Sequence, residues 1–267
     1  TRSNRMFGNS LPKSEVENNG IGPFLEIGRD GRQPGLLYPT KTFKDKLEFV
    51  VGGIKVELFH APGETNDQLF VWLPDKKALF PGDNFYKTFP NLYTIRGTPY
   101  RDLAGWVNSI DMMRYLEPEY LIPSHTRPLQ GKDNINSILT TYRDGIQFVH
   151  DQTVRLMNLG LGPNEIAERL VLPKHLGDSP FLKEFYGTPG WSAKNVFSGY
   201  LGWFNGNPSS LKPLSQEMEA SNFVKLAGSW ENLFNVAEEA YSNGEFQWSL
   251  QLTDYLLQSK PDEINTK

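Results

Sequence analysis

Two β-prone runs open the legible pattern. Leu47-Glu48-Phe49-Val50-Val51 and Ile54-Lys55-Val56-Glu57-Leu58-Phe59-His60 flank the pair Gly52-Gly53. Two glycines supply the positive φ that a two-residue turn needs, so the spacing predicts a hairpin. Gln68-Leu69-Phe70-Val71-Trp72 reads as a third strand, Pro74-Asp75-Lys76-Lys77 as a turn, and Ala78-Leu79-Phe80 as a fourth strand. These runs are short and nearly all apolar, as expected for a sheet covered on both faces. The period then changes. Leu103, Trp106, Val107, Ile110 and Met113 recur at helical spacing behind Asp102, a suitable cap, and Pro118 ends the helix. Tyr120-Leu121-Ile122 is a short strand running into Pro123-Ser124-His125. Alternating strands and helices predict an α/β layer fold.

Beyond Gly131 the pattern is helical. Ile135, Ile138, Leu139, Tyr142, Ile146, Val149 and Leu156 share one face, and Gly160 and Gly162-Pro163 close that helix. Glu165 to Leu170 forms a short helix between Pro163 and Pro173, and residues 175–214 are rich in glycine, proline and aromatics. Three helical stretches follow at 215–227, 230–242 and 245–259, with Gly244 as a short turn between the last two. The expected division is an α/β part over 1–131 and an all-α part over 132–267.

Composition narrows the chemistry. The 267 residues contain no cysteine, which excludes disulfides, thiolate nucleophiles and Cys-based metal sites. A net charge of -4 argues against a nucleic-acid-coating protein, which usually presents a basic face. No run of 18 apolar residues suggests a membrane span, and residues 1–6 show no apolar signal-peptide core. Without an initiator Met, the chain is expected to be processed or to start inside a longer product. Aromatic residues at 13% make a large core plausible, and those at 185–204 are expected mainly in it, with a few available to line an apolar channel.

Three strand ends carry residues that metals use. His60-Ala61-Pro62-Gly63-Glu64 follows the hairpin, Pro81-Gly82-Asp83-Asn84 follows the fourth strand, and Pro123-Ser124-His125-Thr126 follows the late strand. In layered α/β folds ligands gather on loops beyond strand ends, and each loop has a Pro or Gly that bends the chain before the polar residue. An imidazole and two carboxylates converging at one edge suit zinc or another divalent ion. Each residue also has a plain structural reading, since Asp after Gly is a common turn residue. The four histidines, His60, His125, His150 and His175, form no local pair. His60 shares a strand face with Leu58 and Val56 and reads as a buried structural histidine; His150 and His175 read as structural or surface residues. A dinuclear site needs roughly six protein ligands, so Glu64, Asp83 and His125 would be only part of one.

The order of these motifs resembles the second half of the metallo-β-lactamase superfamily, with Ala61-Pro62-Gly63-Glu64-Thr65, Leu79-Phe80-Pro81-Gly82-Asp83 and Pro123-Ser124-His125 in sequence. Glu64 stands where that superfamily usually has His, which is similar to the zinc-dependent alkylsulfatases. Asn91-Leu92-Tyr93-Thr94-Ile95-Arg96-Gly97 resembles the alkylsulfatase segment that reaches sulfate, and Phe7-Gly8-Asn9-Ser10-Leu11-Pro12 resembles another of its segments. Tyr200-Leu201-Gly202-Trp203-Phe204-Asn205-Gly206-Asn207-Pro208 resembles the signature of the helical alkylsulfatase dimerisation domain.

The resemblance implies a fold of α/β plus all-α type, a partial αββα sandwich followed by a helical dimerisation domain. It implies two zinc ions in the intact protein, with Glu64 on the first, Asp83 bridging and His125 on the second. Arg96 would pair with sulfate oxygens, as a planar guanidinium matches an oxyanion, with Asn91 and Tyr93 nearby. The implied reaction is hydrolysis of an alkyl sulfate ester by a homodimer. The sequence departs from the family in three places. The His-x-His-x-Asp-His motif is absent, Trp191 stands near the position of a family histidine, and no sterol-carrier-like domain follows. The first departure implies a fragment of a longer protein. Two alternatives stay open: a phosphoester, thioester or lactone hydrolase on the same fold, or an inactive dimerisation fragment.

Overall fold

The computed structural model describes residues 37–95 and 97–259. The segment Phe7–Pro12 and Arg96 lie outside them. The described chain divides into two compact units, the first running to Trp203 and the second starting at Phe204.

The first unit is built on a six-stranded sheet in sequential order. Strands β1 (Lys46–Val51), β2 (Ile54–His60), β3 (Leu69–Leu73) and β4 (Ala78–Phe80) are mutually antiparallel. The expected Gly52-Gly53 turn forms, with φ of 56° and 80°. Helix α1 (Leu103–Tyr115) is a crossover, so β5 (Tyr120–Leu121) pairs parallel with β4, and β6 (Leu129–Gln130) closes the sheet. Asp102 caps α1, its Oδ1 accepting from the Ala104 amide at 3.1 Å. The helix buries Leu103, Trp106, Val107, Ile110 and Met113, the stripe read from spacing.

Helix α2 (Lys132–Asn158) buries Ile135, Leu139, Tyr142, Ile146, Val149 and Leu156. These residues share one core with Phe70, Trp72 and Leu79 of the sheet and with Ala193, Val196 and Phe197 of a later helix. The division expected near Gly131 therefore does not follow the packing. The compact unit continues through α3 (Pro163–Arg169), α4 (Lys174–Gly177) and α5 (Pro189–Leu201). Apolar spacing alone does not say which core a helix joins.

The sheet also departs from the expectation of two covered faces. By register, Leu47, Phe49 and Val51 share a face with Ile54, Val56 and Leu58. Phe49, Val51 and Ile54 are exposed. On the other face Lys46 and Lys55 pair with Glu48 and Glu57. Lys46 also lies 4.7 Å above the Phe59 ring. The aromatic segment 185–204 likewise contributes less to the core than expected. Phe197 is buried, whereas Phe185, Trp191, Tyr200 and Trp203 are exposed.

Among the described residues the second unit holds a 3-10 turn (Pro208–Leu211) and three α-helices, α6 (Gln216–Ala227), α7 (Trp230–Ser242) and α8 (Phe246–Ser259), close to the stretches read from the sequence. Leu233, Ala237, Leu252 and Leu256 form its core. Ser215 and Ser229 cap α6 and α7 through their hydroxyls. Gly244, at φ 79°, makes the turn between α7 and α8.

Candidate metal centre

The loop after β2 is held from two sides. Ser109 Oγ on α1 donates to the Pro62 carbonyl at 2.7 Å. Asn84, fully buried in the 3-10 turn Gly82–Asn84 beyond β4, donates through Nδ2 to the Ala61 carbonyl at 2.7 Å. Its Oδ1 accepts from the Glu64 amide at 3.2 Å. Asn84 is itself fixed, since Trp106 Nε1 donates to its carbonyl at 3.0 Å. A Cβ on Gly63 would collide with the Asn84 amide, so this close approach requires glycine. The same asparagine thus joins the loop bearing Glu64 to the turn bearing Asp83.

The side chains of that turn and of the late loop meet. His125 Nε2 lies 3.3 Å from Asp83 Oδ1, with the imidazole 67% and the carboxyl 38% exposed. Glu64 is deeper, its side chain 11% exposed. Burial pushes the Glu64 carboxyl above the usual carboxylate range; the charge of Arg101 opposes this, and the charge of Asp83 adds to it. A cation placed between such carboxylates would relieve both the burial cost and their mutual repulsion.

Four residues around Glu64 were not singled out in the sequence. Besides Asn84, Arg101 is buried, and its Nη2 donates to Glu64 Oε1 at 3.3 Å. Its Nη1 donates to the main-chain carbonyl of Asn91. Tyr86 is buried and accepts through its hydroxyl from the Asn91 amide at 2.8 Å. It also acts on the Glu64 carboxyl by a hydrogen bond. Burial pushes the Tyr86 and Tyr142 phenols well above their ordinary range, so both remain neutral. Tyr142 packs edge-on to Tyr86 with ring centroids 6.3 Å apart.

Of the residues expected to meet sulfate, Asn91 is buried and Tyr93 half-buried in one segment, and Arg96 lies outside the described residues. The neighbouring chain is anchored from the helical side: Phe89 donates to the Lys183 carbonyl at 2.8 Å and Gly187 to the Phe89 carbonyl at 3.2 Å. Two of the remaining histidines make structural contacts. His60 is half-buried, with Nε2 at 2.8 Å from the Asn66 carbonyl. His150 contacts Asp151 through Nδ1 at 2.8 Å and the Tyr200 hydroxyl through Nε2 at 2.9 Å. His175 is exposed in α4.

Carboxylates and imidazoles are donor types a divalent metal takes; the structure brings His125 and Asp83 together, and Asn84 ties the Glu64 backbone to their turn. Among the described residues, no three His, Asp or Glu are gathered into a cage for one ion. The set therefore fits part of a metal centre, with further ligands required.

Comparison with known proteins defines the class. Residues 8–125 match the metallo-beta-lactamase superfamily, and residues 162–267 match the alkyl sulfatase dimerisation family. The chain belongs to the metallo-β-lactamase superfamily and joins that region to one of the alkyl sulfatase dimerisation family, and the superfamily membership implies metal binding. It is 36% identical to a linear primary-alkylsulfatase from Pseudomonas sp., over 98% of this chain and 50% of that protein. It is 31% identical to the alkyl/aryl-sulfatase BDS1 of Saccharomyces cerevisiae, over 85% of this chain and 36% of that one. The solved stereoselective inverting sec-alkylsulfatase Pisa1 from Pseudomonas sp. superposes with a TM-score of 0.87 at 25% identity, covering 99% of this chain and 43% of its own. The chain thus spans half or less of the length of these relatives.

Proposed function

We propose that the protein containing this chain hydrolyses alkyl sulfate esters to an alcohol and inorganic sulfate, using two zinc ions. The reading is carried by the meeting of His125 with Asp83 beside the buried carboxyl of Glu64. Glu64 would hold the first zinc, Asp83 would bridge and His125 would hold the second. Zinc at such a site supplies Lewis acidity. The chain's own residues then recognise the substrate. Arg96 would face the sulfate oxygens in the fork geometry that suits oxyanions. Asn91 and Tyr93, on the same segment, would flank it and orient the ester. Because charge gathers on sulfate as the ester bond breaks, a fixed cation there favours the transition state over the ground state.

The helical region supports pairing of two protomers. Its match is to a dimerisation family, and Met218, Leu226, Tyr241 and Phe246 present exposed apolar side chains. No described helix is long and apolar enough to cross a membrane.

The test is a substrate panel on the zinc-loaded full-length protein. Sulfate release from a linear alkyl sulfate, abolished by a chelator and restored by zinc, is the expected outcome. Turnover of phosphodiesters, thioesters or lactones without turnover of alkyl sulfates would replace this reading with another hydrolase of the same fold.

A further inference from the structure

One buried side chain joins the two halves of the proposed site. Arg101 stands one residue before the cap of α1 and is 6% exposed. Its two terminal nitrogens diverge: Nη2 reaches Glu64 Oε1 at 3.3 Å, on the loop after β2, and Nη1 reaches the main-chain carbonyl of Asn91. The Arg101 backbone is also gripped. Asn195 Nδ2, from α5, donates to the Arg101 carbonyl at 3.4 Å and to the Leu92 carbonyl at 3.1 Å. Arg101 Nε has no hydrogen-bond partner among the described residues.

This arrangement uses what distinguishes arginine from lysine. A planar guanidinium fixes two acceptors at set angles, whereas an ammonium is a single point that rotates on a flexible stem. A buried carboxylate without a partner would also be strongly disfavoured. A generic salt bridge would meet the second need without the first. Here the second donor goes to the backbone of the very segment that carries Asn91 and Tyr93.

We propose that Arg101 is a positioning residue. It sets the direction of the Glu64 carboxylate and, with the same fork, the distance between that carboxylate and the Asn91–Tyr93 segment. The cation site and the anion-binding segment are therefore registered to each other by one side chain. The inference rests on the reading of Glu64 as a metal ligand. Ligands oriented from outside in this way lose about 10–100-fold in metal affinity or activity when the orienting group is changed.

The test compares Arg101→Lys and Arg101→Gln in the full-length protein, with Asp111→Asn as a control. The control removes two ion pairs of Asp111, one with Arg143 between α1 and α2 and one with Arg114 within α1. Zinc affinity is read by competition with a chromophoric chelator, the fold by circular dichroism, and kcat and KM with a linear alkyl sulfate. Arg101→Lys keeps the charge but loses the fork. The expected result is a folded protein whose zinc affinity falls by about 10–100-fold. Saturating zinc then restores its kcat, while KM stays raised because the Asn91 carbonyl is no longer held. The control should lose thermal stability and keep its zinc affinity and KM. Wild-type zinc affinity and KM in folded Arg101→Lys would overturn the role of Arg101 alone. Failure of the wild-type protein to take up zinc would overturn the metal reading and this inference together. If Arg101→Gln does not fold, the lysine variant carries the test.

Discussion

At the residue scale, Asn84 has the most consequential contacts outside the proposed ligands. It supplies a donor to Ala61 and an acceptor to Glu64, and it is fully buried. Asn84→Ala would leave both main-chain groups without their partner and is expected to cost about 1–3 kcal/mol, read from the urea midpoint at an unchanged slope. Glu64→Gln should also lower the melting temperature, because it leaves the buried Arg101 guanidinium without its counter-charge, and calorimetric titration should show zinc binding weakened by more than about tenfold. The ligand candidates were legible because each sits behind a Pro or Gly bend at a strand end. Arg101 was not legible, since nothing local shows that an arginine beside a helix cap reaches back 37 residues to Glu64.

At the element scale, the helices divide by how clearly their ends are marked. The last three were read to within a residue or so because serine caps and Gly244 bound them. Helix α5 went unread, although its signals are ordinary. Thr188 accepts from the Trp191 amide at 3.2 Å, Pro189 takes the first position, and Gly202 stops the helix at φ 80°. The aromatic density around it hid the periodic positions Ala193, Val196 and Phe197. Just before α5, Gly187 packs so closely on the Pro90 carbonyl that a Cβ would overlap it. Gly187→Ala should therefore destabilise the first unit by about 1–3 kcal/mol, measurable by thermal melts. On the hairpin, Lys55 and Lys46 hold the Glu57 carboxyl below its ordinary range. The folded state thus binds this proton less readily than the unfolded chain, so the contribution is present above the ordinary carboxylate pKa and is lost as pH falls through the acid range. Glu57→Gln should lower the melting temperature at neutral pH, and the difference from wild type should shrink in acid.

At the scale of the whole molecule, five of the six described strands, α1 and the fold class were readable from alternation of periods, whereas β6 and the extent of the first unit were not. Whether a helix belongs to one core or the next depends on contacts far apart in sequence, such as those that put Ile135 and Ala193 with Phe70. Metal uptake gives a property of the entire protein. Binding to the folded form alone stabilises it, by about 2.7 kcal/mol at a free zinc concentration one hundred times the dissociation constant. The melting temperature of the full-length protein should therefore climb with added zinc and fall back with a chelator, and a flat response would argue against the proposed centre.

The tip of the hairpin offers a practical opening. Neither Gly52 nor Gly53 has anything within 4 Å of where a side chain would begin. The seven residues of β2 separate that tip from the Glu64 loop, a run of roughly 20 Å at ordinary strand rise. A short epitope or a tethering peptide spliced there would give a handle for attaching the protein to a surface at a distance from the proposed centre.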